Sequence, residues 1–202
     1  MSYYGFYIID PLGLIKWGDT STVAMKVSEW MDPIVKQAGF EFPLVCYPQY
    51  IVTPQPHEII IYVCSYEHSV VQLAPGGKGQ IPNPMSSPHK GITLLGPPAA
   101  SEVYVKESSP IVLASVIFHE AMHNKLQRNN SMHNNFSKPV LSAAMMNITS
   151  DIAPTAEESQ AMASALAKPV NQWADGQQIL WDAAANRKNN DVVWDSQIKY
   201  QS

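Results

Sequence analysis

The five residues His119-Glu120-Ala121-Met122-His123 set two imidazoles and a carboxylate at a spacing that suits metal-assisted hydrolysis. Histidines four apart on an α-helix project from one face, one turn from each other, and can hold a single zinc ion between them. Glu120 follows the first of them and falls beside the position that a catalytic zinc leaves to water, where a carboxylate takes up a proton. Zinc brings the pKa of that water to about 7, so a hydroxide nucleophile becomes available at neutral pH. The chemistry implied is amide hydrolysis, with Glu120 as general base.

The pattern carries weight only on a helix. Val112, Leu113, Val116, Ile117 and Phe118 precede it, and Ser108-Ser109-Pro110 offers a proline suited to a first helical turn. Asn129-Asn130 offers a stop, which predicts a helix over residues 111–128. Such an apolar helix is expected to be largely buried, and burying two His and one Glu there is costly unless a metal pairs them. A catalytic zinc takes a third protein ligand. His133, Asp151, Glu157 and Glu158 follow the pair, and spacing leaves all four open. The metzincin arrangement is not met, because Leu126 and Asn129 stand where its Gly and third His would be. His133, Arg187 and Tyr200 are available as donors to a developing oxyanion.

The surrounding elements read as one domain of mixed class. The chain has 202 residues, 46% of them hydrophobic, enough for a sizeable core. Its 15% of charged residues is low against a usual share of about 25%. Thirteen Lys and Arg against 17 Asp and Glu leave a net charge of −4, so no nucleic-acid-binding face is expected. No apolar run approaches the roughly 18 residues needed to span a bilayer, and the start MSYYGFYIID lacks the features of a secretory signal. The sixteen prolines argue against an all-helical bundle.

Residues 1–19 read as a lead-in or a short strand. Val23, Val27, Trp30, Met31, Ile34 and Val35 predict a helix over 20–39, interrupted at Asp32-Pro33 and ended by Gly39. Strand-like runs follow at 42–47, 57–66 and 70–73, then a Gly- and Pro-rich loop over 75–91, and strands again at 92–95 and 102–106. A short helix is expected at 139–146. Thr155-Ala156-Glu157-Glu158 has capping-box spacing and opens a helix to about residue 167. One more amphipathic helix is expected around Trp173 and Trp181, with an end segment bearing Trp194. Cys46 and Cys64 are expected as buried thiols rather than a bridge.

Two resemblances add to this reading. His119-Glu120-x-x-His123, followed by a helix start at Thr155-x-Glu157-Glu158, is similar in spacing to the clostridial neurotoxin light chains, which are zincin-type peptidases. The second Glu of such a pair binds zinc in that family, and the resemblance implies that role for Glu158. It also implies an α+β, zincin-like fold with a small mixed sheet, an active-site helix and a C-terminal helical half. A strand before the active-site helix would then pair with extended peptide substrate. Asp10-Pro11-Leu12-Gly13-Leu14 resembles the DPxGL segment that closes the core of Rhs-type polymorphic toxins. That implies residues 1–19 as a link from an upstream carrier and residues 20–202 as a peptidase domain delivered, for example, by type VI secretion. Such an effector would act in the periplasm or cytoplasm of a target cell, opposed by an immunity protein. The alternatives are a catalytically silent module with structural zinc and a metal-dependent hydrolase of cell-wall peptides.

Overall fold

Tyr3–Ile9 (YYGFYII) is rich in the aromatic and β-branched residues that suit a pleated surface, and it forms strand β1. In the computed structural model, which describes residues 2–48, 54–64, 69–74, 91–96, 98–105, 109–127, 156–168, 170, 172–174 and 176, this strand lies inside the sheet. Of the two readings of residues 1–19, a lead-in or a short strand, the strand is the one formed, over Tyr3–Ile9, and the segment is built into the fold. The motif after it makes a tight turn. Gly13, at φ +62°, donates its N–H to the Asp10 carbonyl at 3.2 Å. The Asp10 carboxylate accepts from the N–H groups of Leu14 and Ile15, each at 2.9 Å.

Helix α1 (Thr20–Gln37) buries the six apolar residues whose spacing predicts it. It runs unbroken through Pro33, contrary to expectation. Pro33 is exposed, so the carbonyl its ring leaves without an N–H can turn to water. The helix ends as expected at Gly39, whose φ of +94° suits glycine. There Phe40 N–H bonds the Val35 carbonyl at 2.9 Å and Gly39 N–H bonds that of Lys36 at 3.1 Å, closing a Schellman cap.

Strands β2 (Phe42–Cys46), β3 (Glu58–Cys64), β4 (Gly91–Leu94) and β5 (Ala100–Tyr104) complete a five-stranded mixed sheet in the order β2-β1-β3-β5-β4. The first four in that order run parallel, and β4 is antiparallel to β5 at the edge. Residues 70–73, expected as a strand from their β-branched composition, form a single helical turn, α2 (Val70–Leu73). Tertiary packing overrides propensity: Ala74 N–H closes on the Val70 carbonyl at 2.9 Å while Val70 and Val71 bury against the sheet.

Helices α1, α3 (Pro110–Leu126) and α4 (Ala156–Leu166) share one core with Tyr4, Phe6, Ile8, Ile59, Ile61, Val63 and Val103. Trp30 of α1 meets Phe118 of α3 edge-on, with ring centroids 6.0 Å apart. By strand alternation Tyr7, Ile9, Ile60, Tyr62 and Tyr104 point the other way, into a second core with α2 and Trp173. Where β3 and β5 do not meet, Gln172 fills the gap. Its side chain accepts from Ile60 N–H at 2.8 Å and donates to the Glu58 carbonyl at 3.0 Å. Trp173 N–H donates to the Ala99 carbonyl at 2.8 Å, and Tyr62 OH bonds the Trp173 carbonyl.

Cys64 is buried, Cys46 half-buried, and neither is in a disulfide. β1 lies between their strands, and the register sets Cys46 beside Tyr7 and Tyr7 beside Ile60, four residues short of Cys64. The two are therefore roughly 16 Å apart, beyond the reach of a disulfide. Of the expected loop at 75–91, residues 75–90 lie outside the described residues and Gly91 opens β4; the short helix at 139–146 and the segments bearing Trp181 and Trp194 also lie outside them.

Candidate metal centre and its neighbours

Local signals make α3. Ser109 caps it, its hydroxyl accepting from Val112 N–H at 3.3 Å, and Pro110 takes the first turn. The end comes at Gln127, in the left-handed region at φ +50°, ahead of the Asn pair expected to stop it. Every residue from Val112 to Lys125 is buried, because the helix is apolar nearly all round. His119, Glu120 and His123 are therefore inside the protein, at 8%, 4% and 6% exposure.

The two imidazoles converge. Nε2 of His119 and Nε2 of His123 are 3.0 Å apart, and the rings meet edge to face with centroids separated by 4.5 Å. Two nitrogens bound tetrahedrally to zinc at about 2.0–2.1 Å stand about 3.3 Å from each other. The pair therefore fits one shared zinc ion with a shift of a few tenths of an ångström. Among the described residues no third His, Cys, Asp or Glu joins them in a metal-holding group. Glu157 is exposed at the start of α4. Glu158 lies in α4, which packs against α3, but its side chain, like His133 and Asp151, is outside the described residues. So are Arg187 and Tyr200.

Glu120 points at the β4–β5 edge of the sheet. Its Oε2 accepts from Thr93 Oγ1 at 2.6 Å. Burial pushes its carboxyl up to about 8, which the nearby Glu102 charge reinforces and the Thr93 hydrogen bond opposes. Thr93 Oγ1 lies 2.9 Å from Ser101 Oγ, which in turn receives Asn124 Nδ2–H at 3.0 Å. Gly91 completes the neighbourhood. A Cβ there would come within 2.8 Å of both Cγ and Oε1 of Glu120, and within 3.0 Å of the Glu102 carbonyl.

None of Gly91, Thr93, Ser101 and Asn124 belongs to a motif. The signal available was weaker: hydroxyls among apolar strand residues, and a glycine opening a strand. Gly91→Ala tests the close approach. The new methyl must displace the Glu120 carboxylate or the backbone of β5, and overpacking of this kind costs about 1–3 kcal/mol. A lowered urea midpoint is expected, whereas full retention would mean that β4 is not held against α3.

On the same helix, Lys125 Nζ reaches the Pro56 carbonyl at 3.4 Å and lies 5.6 Å from the centroid of the Tyr4 ring. Burial pushes its ammonium down to about 8, against the pull of Glu58.

No protein-family model, curated protein or solved structure matches this chain.

Proposed function

We propose that the chain is a zinc-dependent metalloendopeptidase of zincin-like fold, with His119, His123 and Glu158 as zinc ligands and Glu120 as general base. The observation that carries this reading is the pair of buried imidazole nitrogens 3.0 Å apart, one turn apart on a helix whose intervening carboxylate is held in place. Zinc held there supplies Lewis acidity toward a carbonyl oxygen and acidifies a water. The chain's own residues do the rest. Burial raises the proton affinity of the Glu120 carboxylate, which suits a group that takes a proton and later returns it. The outer side of β4 has no strand partner among the described residues, and it flanks α3. An extended peptide can add there by backbone hydrogen bonds, with little demand on its side chains.

The reading extends to a bacterial effector carried by a larger protein and neutralised by an immunity partner in the producer. Its support is the Asp10-Pro11-x-Gly13-Leu14 resemblance alone, and the turn that Asp10 caps also accounts for those residues.

Metal analysis and a cleavage screen test the proposal together. The purified chain should hold one zinc, with His119 and His123 among the ligands seen by anomalous scattering at the zinc edge. It should cleave members of a peptide library and stop when chelated. A zinc closed by four protein ligands and no cleavage would instead indicate a binding module. Cleavage of peptidoglycan alone would move the substrate to cell-wall peptides, and a metal-free chain would overturn the reading.

A further inference from the structure

We infer that Thr93 is a positioning residue for Glu120, pinning one carboxylate oxygen from β4 and leaving the other to exchange the proton. The inference deepens the peptidase reading and rests on it for the role of Glu120. Hydrogen counting sets the direction of the chain of contacts. A general base must be ionised before it takes its proton, and an ionised carboxylate has no hydrogen, so in that state the single hydrogen of the Thr93 hydroxyl goes to Oε2 at 2.6 Å rather than to the Glu120 carbonyl at 3.2 Å. The hydrogen in the 2.9 Å contact between the two hydroxyls then comes from Ser101, whose only other acceptor among the described residues, the Glu120 carbonyl, is farther at 3.4 Å, and whose oxygen accepts from Asn124 Nδ2. Amide, hydroxyl and hydroxyl thus all donate toward Glu120, and the two strands β4 and β5 supply both hydroxyls. Oε1 lies against Gly91 and accepts no hydrogen bond among the described residues. A β-branched donor on a strand has few rotamers, so the hydroxyl is held in place before any substrate arrives.

Thr93→Val keeps the shape of the side chain and deletes the donor, and Thr93→Ser keeps the donor. On whichever library peptide the wild type cleaves, Val is expected to lower kcat by about 10- to 100-fold, as misplaced catalytic groups do. KM and zinc content should stay within about twofold. Ser should restore kcat, and Ser101→Ala, which never touches the carboxylate, should give a smaller loss of the same kind. Crystal structures provide a readout independent of activity: the Glu120 carboxylate should leave its place in the Val variant and keep it in the Ser variant. An unmoved Glu120 or wild-type kcat in Thr93→Val overturns the inference, as does a Ser variant no better than Val. If the wild type neither binds zinc nor cleaves, the peptidase reading falls, and the structures alone decide whether Thr93 positions Glu120.

Discussion

Glu120→Gln is expected to bind zinc as the wild type does and to lose cleavage by about 100- to 10,000-fold, the range typical for removing a general base. The substitution is nearly isosteric, and the amide oxygen can still accept from Thr93, so the packing against β4 should survive. What disappears is the capacity to accept a proton. Zinc stoichiometry, thermal midpoint and turnover measured on one preparation separate the outcomes. Unchanged midpoint and metal with lost turnover place the chemistry on the carboxylate. Wild-type turnover would remove Glu120 from the mechanism, and loss of metal would make it part of the metal site.

The largest effect on stability is expected at Glu102, on the face of the sheet away from α3. It has no exposure and gathers four donors: the hydroxyls of Ser69 and Tyr104 on Oε1, and Cys64 Sγ at 3.3 Å with Val71 N–H at 3.2 Å on Oε2. Burial raises its carboxyl above the ordinary range even though those donors pull it down. Glu102→Ala leaves four donors facing a dry hole. Breaking a buried polar network of this kind costs on the order of 3–5 kcal/mol. With a urea slope of about 2 kcal/mol/M, the midpoint should fall by about 1.5–2.5 M or the protein should fail to fold. Glu102→Gln should lose less, since its amide oxygen still serves some of the donors. An alanine variant within about 0.5 M of the wild type would show the cluster to be dispensable.

What the sequence made legible was local. The capped, apolar run before His119 yields α3 within two residues at either end, and the 3.6-residue recurrence from Val23 to Val35 yields α1. Errors arose where distant packing outweighed neighbours. Val70-Val71-Gln72-Leu73 has strand composition but closes a helical turn over the second core, and Pro33 sits on a solvent-facing side where a helix tolerates it. Residues 1–19 read equally as a lead-in or a short strand, because nothing in them shows that two later strands will flank β1. The site divides in the same way. His119, Glu120 and His123 announce themselves by spacing, whereas Thr93, Ser101 and Asn124 are ordinary residues until the sheet brings them to one carboxylate.

The stitch made by Gln172 has a kinetic consequence. It joins groups 112 and 114 positions apart in sequence, and closures of such span come late because the entropy of a long loop must be overcome before its contacts form. Helix α3 emerges from the ribosome well ahead of that closure. Until residue 172 has arrived, the neighbouring edges of β3 and β5 stay open where they do not pair, so a nascent chain can carry the histidine pair without a finished sheet behind it. Maturation of the sheet behind the pair is thereby tied to the arrival of residue 172 rather than to the folding of α3 itself.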